Sequence, residues 1–371
     1  MNSQTILSNR DDYAELDGYL QEKGYRNILL VSGKSFYRLK LSGYFAGLED
    51  RLGIKIHYFN DIRPNPLYEG ILEGMKVFRE NGCDCIIAVG GGSPMDTAKC
   101  IKTFMFMDES VDYLKQEIVP NDIPFIAIPT TAGTGSEATR FAIIYKDGQK
   151  VTVTDESSIP QAVLFDPGAL KTLDDYQRKA TMLDALSHAV ESYWAVKATD
   201  ESRGYADEAI RMFVDAKDSY LANEEEGNRK MLMAAYTAGK AINITQTTAG
   251  HAMCYKLTTL YGLAHGHSVS LVMRRLYPYI LSHTEDSNDP RGSGYLNGVL
   301  EDIAGAMGKK TAEEGCRYYV DLVRELEMPV PKMREEDFDL MVDSVNPERL
   351  RNNPVSLDRQ AIADLYIKIF D

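Results

Sequence analysis

Several features that would quickly place a protein in a class are scarce or absent in this chain. No apolar run approaches the roughly 20 residues that a membrane-spanning helix needs. Basic residues are in the minority, and the net charge of −14 argues against nucleic acid and anionic membranes as partners, since both are bound by clustered Lys and Arg. The N-terminal segment lacks a basic stretch followed by an apolar core, so we expect no signal peptide and a cytoplasmic protein.

Cysteine is also sparse, with five residues at spacings that fit no disulfide framework. Cys83 and Cys85 are separated by one residue, a spacing for which a soft-metal or redox pair is one interpretation. They lead directly into an apolar strand, however, so packed and reduced thiols are the favoured interpretation.

The length of 371 residues predicts two domains of ordinary size. In the first part of the chain, short apolar runs alternate with helical stretches at about 36–51, 67–81 and 94–106, which predicts a parallel, doubly wound α/β sheet. Beyond Leu170 the periodicity is helical and no convincing strand appears. The predicted strands are Asn27–Val31, Ile54–Phe59, Cys85–Val89 and Phe125–Ile128.

Histidine is rare too, yet four of the six histidines fall between residues 188 and 267. Asp184 and His188 stand four residues apart in a helical run, MLDALSHAVESY, so their side chains share one helix face. His251, His265 and His267 follow. One carboxylate with three imidazoles suits Fe²⁺ or Zn²⁺ and leaves a position open for water or substrate. The alternative for the pair alone is a solvated helix face or a satisfied core pair.

Two glycine-rich segments follow consecutive predicted strands. The first, GGGSPMDTAK at 90–99, feeds a helix N-terminus, where unpaired N–H groups and the positive end of the helix dipole suit a pyrophosphate. The second, PTTAGTGSEAT at 129–139, interleaves hydroxyls with glycines and also suits a nucleotide. Ligands of parallel sheets lie at the carboxyl ends of the strands, where both segments are expected. The alternatives are a tight turn for the first segment and a Ser/Thr-rich surface loop for the second.

Together, these two segments and the Asp/His/His/His spacing resemble the iron-dependent (group III) alcohol dehydrogenases, which are more distantly related to glycerol dehydrogenase and dehydroquinate synthase. The resemblance implies a dehydroquinate synthase-like fold, with an α/β dinucleotide-binding domain at 1–167 and an all-helical metal-binding domain at 168–371. It also implies a homodimer that reduces an aldehyde to a primary alcohol with NADPH or NADH at Fe²⁺ or Zn²⁺.

The resemblance assigns site residues as well. The metal ligands that it implies are Asp184, His188, His251 and His265. The residues that it implies for the pyrophosphate are Gly91, Gly92, Ser93 and Asp96, and those for the adenosine and nicotinamide-ribose side are Thr130, Thr131, Thr134 and Lys150.

Two departures from the family pattern affect these assignments. Many members carry a further histidine four residues after the third metal ligand, where this chain has Tyr255, so proton delivery is expected to use Tyr255, His267 or water. NAD-selective members tend to place Asp after the first strand, where this chain has Gly33 followed by Lys34. Without that carboxylate a 2′-phosphate is not repelled, so we expect NADPH to be preferred and NADH tolerated.

A third departure is the presence of cations near the expected site: Arg140, Lys256 and His267. Paired donors of this kind suit an anionic aldehyde. The segments TRFAIIY and HAMCYKLTTLYGLAHGH are similar to the phosphonoacetaldehyde reductase branch of the family, so the predicted reaction converts phosphonoacetaldehyde to 2-hydroxyethylphosphonate. The alternatives are ordinary surface ion pairs for Arg140 and Lys256, a broad short-chain alcohol/aldehyde dehydrogenase, a glycerol dehydrogenase-like enzyme, and a non-catalytic nucleotide-binding sensor.

Overall fold

The computed structural model describes residues 4–9, 12–63 and 65–370. They form two compact units, one up to Thr172 and one from Leu173 onward. The predicted domain bounds, 1–167 and 168–371, differ from this division only in a short 3₁₀ segment, Pro167–Thr172.

The first unit is built on a parallel sheet, as predicted. In the described part of this unit, six strands pair in the order β1-β8-β5-β4-β2-β3, all of them parallel. The strands of the unit are β1 (Thr5–Ser8), β2 (Asn27–Ser32), β3 (Lys55–Phe59), β4 (Cys85–Gly90), β5 (Phe125–Pro129), β6 (Phe141–Lys146), β7 (Gln149–Thr154) and β8 (Ala162–Phe165). Its α-helices are α1 (Ala14–Lys23), α2 (Lys40–Ala46), α3 (Leu48–Leu52), α4 (Tyr68–Glu80) and α5 (Gly92–Phe104).

The four predicted strands are confirmed, each within a residue or two of its observed ends. Every residue of β4 and β5 is buried, as expected for central strands of a sheet covered on both faces. The chain runs from β2 out to β3 and then returns to place β4 on the other side of β2. This reversal is a topological switch point, and the glycine segment after β4 begins at it.

Two of the observed features were not predicted. Edge strand β1 pairs with β8, and both are only four residues long. The second feature is an antiparallel hairpin of β6 and β7, separate from the main sheet. Its turn is Asp147-Gly148, where both residues have positive φ angles of 50° and 74°, as a tight hairpin turn requires.

In the described residues of the second unit all regular secondary structure is helical, apart from an isolated bridge between Ser287 and Val355. The predicted fold class, an α/β domain followed by an all-α domain, is therefore confirmed. The helices are α6 (Asp175–Trp194), α7 (Asp200–Leu221), α8 (Glu225–Thr245), α9 (Ala249–Tyr261), α10 (His265–Ser282), α11 (Ser293–Ala306), α12 (Ala312–Glu325), α13 (Glu335–Asp343), α14 (Pro347–Leu350) and α15 (Arg359–Phe370).

Helix α6 is the core element of the second unit and packs against α7, α8 and α10. It begins where the Asp174 carboxylate accepts a hydrogen bond from the Gln177 N–H at 2.7 Å, which satisfies one of the free donors of the first turn. From Met182 to Trp194 every residue is buried, including Asp184 and His188. Because buried charged groups need partners, the neighbours of this pair decide what it does.

Two further findings bear on the sequence predictions. All five cysteines are buried and free, which agrees with reduced, packed thiols. None of the helices in residues 4–9, 12–63 and 65–370 has the length and apolar character needed to span a bilayer.

Candidate active site

Four side chains from three helices of the second unit converge on one point. Asp184 and His188 lie one turn apart on α6, His251 lies in the first turn of α9, and His265 is the first residue of α10. The Nε2 atoms of His188, His251 and His265 stand 4.0, 3.3 and 4.0 Å from the same atom, Asp184 Oδ1. The structure therefore brings the four predicted metal ligands together.

The spacing and the charges of this group fit a divalent ion. Ligand atoms bound at about 2.0–2.1 Å in a tetrahedral site are roughly 3.4 Å apart. Here the potential ligand atoms of Asp184, His188 and His251 all lie within 4.8 Å of one another, and His265 Nε2 is 4.0 Å from Asp184 Oδ1. Burial alone would raise the pKa of Asp184, but the imidazoles of His188, His251 and His265 outweigh it and hold this pKa well below its usual range. One ionised carboxylate with three imidazoles is a donor set that suits Fe²⁺ and Zn²⁺ alike once the imidazoles have lost their protons to the ion.

A fifth residue, Glu191, supports the ligands and was missed in the sequence. Its Oε2 atom accepts a hydrogen bond from His251 Nδ1, which leaves His251 Nε2 facing Asp184. Its Oε1 atom accepts hydrogen bonds from the Thr248 N–H at 3.0 Å and the Thr248 hydroxyl at 2.6 Å. A carboxylate behind a ligating histidine fixes the tautomer and the ring orientation. Glu191 lies seven residues after Asp184 and therefore on the same face of α6, which is a signal that the sequence contained.

The Glu191 carboxylate is buried and ionised. Burial alone would raise its pKa, but His251 and Thr248 outweigh burial and lower the pKa below its usual range. The same carboxylate raises the pKa of His251 to about 9, with Asp184 adding to the effect, although burial alone would lower it. The hydroxyl of Thr248 also accepts a hydrogen bond from Trp194 Nε1 at 3.1 Å. The hydrogen bonds that fix Glu191 therefore extend to a buried tryptophan of the core.

Gly266 allows α10 to reach this group. A Cβ atom at Gly266 would collide with the carbonyl oxygen of Ala180 and would lie 2.6 Å from Asp184 Cβ. The absence of a side chain therefore lets the first turn of α10 pack directly on α6. This contact carries His265 to the side of Asp184.

His265 forms the exposed side of the group, with 38% of its side chain accessible to solvent. Its Nδ1 atom lies 3.7 Å from Cys254 Sγ, and its ring stacks on Tyr255 with 5.9 Å between centroids. The guanidinium of Arg349 lies 5.2 Å from the Tyr255 ring centroid. This is the side from which a substrate would approach, because Asp184, His188 and His251 are buried.

The two glycine-rich segments meet in the first unit. Helix α5 begins at Gly92, so the N–H groups of its first turn have no partner within the helix. A Cβ atom at Gly91 would lie 3.0 Å from Thr131 Oγ1, and one at Gly92 would lie 3.2 Å from Thr134 Cγ2. Both glycines therefore permit close approach of the second segment to the start of α5, an arrangement that suits an anionic ligand.

The other predicted cofactor residues lie around the same place. Thr130 is buried and donates its N–H to the carbonyl of Gly90 at 3.0 Å. The Asp96 carboxylate accepts hydrogen bonds from Ser136 Oγ and from the Ile143 N–H, at 2.9 and 3.0 Å. Lys150 lies on β7, and its charge opposes the rise in the pKa of Asp96 that burial causes.

Family models match both units. One, described as iron-containing alcohol dehydrogenase, matches residues 3–167, and the C-terminal model of the Fe-containing alcohol dehydrogenase family matches residues 179–370. The chain belongs to the iron-containing alcohol dehydrogenase family. It is therefore an oxidoreductase, and the predicted family is confirmed.

Similar proteins in this family include two with broad coverage. The chain is 29% identical to alcohol dehydrogenase 4 of Schizosaccharomyces pombe over 343 residues, which are 89% of this chain and 79% of that protein. It is 30% identical to phosphonoacetaldehyde reductase of Streptomyces viridochromogenes over 298 residues, 76% of this chain and 75% of that protein. Among solved structures, sulfoacetaldehyde reductase from Bifidobacterium kashiwanohense in complex with NAD⁺ has the same fold, with a TM-score of 0.88, 24% identity and coverage of 100% and 98% of the two chains.

The two predicted proton donors of this iron-containing alcohol dehydrogenase have different surroundings. Tyr255 stacks on the metal-site residue His265, as described above. His267 is fully buried, and its Nδ1 atom lies 3.0 Å from the hydroxyl of Tyr176. Burial, assisted by Arg274, lowers the pKa of His267 to about 4. Within the described residues, none of its hydrogen bonds or ring contacts involves the four converging side chains.

Arg140 and Lys256, the two cations predicted to bind the substrate, also have different surroundings. Arg140 donates a hydrogen bond to the Glu156 carboxylate at 2.7 Å, which is the surface ion pair that the alternative interpretation expected. Lys256 lies on α9 directly after Tyr255, and its ammonium makes no ion pair or hydrogen bond in the described part of the chain. Arg349, which was not predicted, is close to Tyr255 in space but 94 residues away in sequence.

Gly33 follows β2 and precedes a 3₁₀ helix, Lys34–Arg38. Its backbone is extended, with a φ of −85° that any residue adopts. A Cβ atom at this position would meet nothing closer than Ser35 Oγ at 4.0 Å. A side chain is therefore tolerated at position 33, and the glycine is not required by packing.

The support from Glu191 predicts a specific effect on metal binding. Glu191→Gln should weaken Fe²⁺ and Zn²⁺ binding about 10- to 100-fold, because the neutral amide no longer orients His251 or raises its basicity. The measurement is competition with a chelator of known affinity. Ser187→Ala is the matched control, since Ser187 is equally buried on α6 but bonds to Leu183 and Tyr319. Unchanged metal affinity in Glu191→Gln would contradict the assignment.

Proposed function

We propose that this member of the family reduces an aldehyde to a primary alcohol, with a nicotinamide dinucleotide as hydride donor and Fe²⁺ or Zn²⁺ as the metal. The observation that carries the proposal is the convergence of His188, His251 and His265 on Asp184 Oδ1. When bound, the ion supplies a Lewis acid for the aldehyde oxygen, and the nicotinamide supplies the hydride.

The side chains of the protein hold and orient the metal ion and the dinucleotide. Asp184 and the three histidines hold the ion, and Glu191 fixes the ring of His251. In the first unit, the start of α5 offers N–H donors to the pyrophosphate through Gly91, Gly92 and Ser93. The residues proposed for the adenosine and nicotinamide-ribose side are Thr130, Thr131, Thr134 and Lys150.

For the proton that completes the alcohol, the surroundings favour Tyr255 over His267. Tyr255 contacts His265 on the exposed side of the group, where the substrate oxygen would lie. His267 is fully buried, and with a pKa of about 4 it is neutral near pH 7. A neutral imidazole is a very weak acid, and one without contact to the site is poorly suited to supply the proton.

The substrate that we propose is an anionic aldehyde, with phosphonoacetaldehyde as the best candidate and 2-hydroxyethylphosphonate as its product. The guanidinium of Arg349 lies 5.2 Å from the Tyr255 ring centroid, and Lys256 follows Tyr255 on α9. The 30% identity to a phosphonoacetaldehyde reductase supports this choice. Arg140 stays a weaker candidate, because Glu156 already neutralises its charge. A broad short-chain alcohol/aldehyde dehydrogenase is the second candidate, since other similar relatives include a lactaldehyde reductase of Escherichia coli.

For the cofactor, we propose that NADPH is preferred and NADH tolerated. Position 33 follows β2 at the switch point, where a carboxylate would select against a 2′-phosphate, and it carries glycine instead. Lys34 adjoins it and offers a positive charge. The homodimer implied by the resemblance and the cytoplasmic location expected from the N-terminal segment stay predictions.

Metal-dependent reduction is tested by following the near-ultraviolet absorbance of reduced nicotinamide. Aldehyde should cause its loss in the presence of Fe²⁺, and a chelator should abolish the loss. His265→Ala should lower the rate at least about a hundredfold, since the ion contributes several kcal/mol to charge stabilisation. His283→Ala is the control, because His283 stacks on Tyr279 outside the metal group. Activity that survives complete metal removal would contradict the proposal.

The substrate class is tested by comparing phosphonoacetaldehyde with propanal in charge-removing variants. Lys256→Met and Arg349→Met should each raise the KM for phosphonoacetaldehyde about 10- to 100-fold, the value of a hydrogen bond to a charged group. The KM for propanal should change little. Arg140→Ala tests the remaining predicted cation in the same way. Equal effects on both aldehydes would favour the broad short-chain dehydrogenase.

The cofactor preference is tested at position 33, where the backbone and the space accept a side chain. Gly33→Asp should weaken NADPH binding about tenfold or more by repulsion and should strengthen NADH binding through the ribose hydroxyls. Gly33→Asn is the control of equal size without the charge. The measurement is the dissociation constant of each cofactor. A wild-type protein that prefers NADH, or a Gly33→Asp variant with unchanged preference, would overturn this part of the proposal.

A further inference from the structure

A lysine with a fully buried side chain lies beneath the second glycine-rich segment, Pro129–Thr139. Lys99 belongs to α5, and its ammonium donates hydrogen bonds to three backbone carbonyls: Ser136 at 2.6 Å, Thr139 at 2.7 Å and Phe141 at 2.8 Å. It also lies 3.0 Å from Ser136 Oγ and 3.1 Å from Thr139 Oγ1. One side chain therefore binds four oxygens at the end of the segment and a fifth, on Phe141, just beyond it.

Asp96, one turn earlier on α5, completes this arrangement. Its Oδ1 atom accepts a hydrogen bond from Ser136 Oγ, and its Oδ2 atom accepts one from the Ile143 N–H. Burial raises the pKa of Asp96 to about 6, although Lys99 opposes the shift. Burial lowers the pKa of Lys99 to about 8, with Asp96 and Glu137 acting in the opposite direction. Each group thus favours the charged form of the other against the effect of burial.

The other end of the segment, which carries Thr131 and Thr134, borders the start of α5. Both threonines lie within 3.0–3.2 Å of where Cβ atoms on Gly91 and Gly92 would be. Lys99 and Asp96 bind the same helix to the end of the segment that carries these threonines. A loop held in its binding conformation loses less entropy when a ligand arrives.

We propose that Lys99 and Asp96 form a clamp that positions the segment Pro129–Thr139 for the dinucleotide without contacting it. This assigns Asp96 a different task from the direct pyrophosphate contact implied by the resemblance, since both of its carboxylate oxygens are engaged by the protein. The clamp rests on the proposed function, because it presumes that the first unit binds a nicotinamide dinucleotide. Lys99 is a positioning residue and takes no part in hydride transfer.

Lys102 provides a matched control on the same helix. It is also fully buried, and its ammonium donates to the carbonyls of Asn121 and Ile123 at 2.7 and 2.8 Å. These residues precede β5, whereas Lys99 holds the chain that follows it. Removal of either ammonium takes a charged donor away from several backbone carbonyls, so both changes should cost stability. Cofactor affinity should distinguish them.

The experiment compares Lys99→Met and Lys102→Met in the full chain. Dissociation constants for NADPH and NADH are measured by fluorescence titration without aldehyde, together with the melting temperature and the Fe²⁺ affinity. We expect both variants to melt lower and to keep their Fe²⁺ affinity. Lys99→Met alone should bind both cofactors about tenfold more weakly or worse, as expected for the loss of hydrogen bonds from a charged group.

The outcomes separate the clamp from the proposed function. A wild-type protein that binds neither cofactor overturns the proposed function. A wild-type protein that binds, with equal weakening or no weakening in the two methionine variants, overturns the clamp. Should Lys99→Met fail to fold, Ser136→Ala removes the hydroxyl shared by Lys99 and Asp96 without burying an unpaired charge. Weaker cofactor binding by this variant at unchanged melting temperature supports the clamp, and unchanged binding overturns it.

Discussion

Three imidazole nitrogens face a single oxygen of Asp184. The helices of the second unit must pack so that these three rings reach the buried carboxylate. A buried carboxylate is costly unless positive charge or hydrogen-bond donors surround it. His188 comes from the same helix, whereas His251 and His265 are supplied by two further helices that must pack closely. The direct contact of Gly266 with α6 is part of that packing. The helices are thus arranged around a site whose charges a divalent ion would balance.

The first unit also contains buried charged groups that need partners, but they hold a loop in place. Here the buried charges are Lys99 and Asp96, and their partners are backbone atoms and hydroxyls of a loop rather than a metal. Buried ionic groups of this kind contribute little net stability, because desolvation offsets their attraction. Their value lies in fixing one conformation of a segment that sterically small residues would otherwise leave adaptable.

The fold and the site could be predicted from the sequence where a pattern within one short segment identified the feature. Asp184 and His188 share a helix face because of their spacing, and the buried strands β4 and β5 are continuous apolar runs. Strand β1 was missed because it is short and partly exposed, whereas β8, a fully buried run of four apolar residues, carried a signal comparable with that of Phe125–Ile128. The hairpin of β6 and β7 was missed although its Asp147-Gly148 turn is a recognised signal. The contact of Arg349 with Tyr255 joins distant parts of the chain, so no local pattern reveals it.

The most direct test of the metal site is anomalous diffraction at the iron edge from crystals grown with Fe²⁺. The account predicts one strong peak about 2.0–2.2 Å from an Asp184 oxygen and from the Nε2 atoms of the three histidines. The Nδ1 atom of His251 should remain hydrogen-bonded to the Glu191 carboxylate. A peak elsewhere, or an ion bound by Asp184 and His188 while His251 and His265 turn away, would contradict it.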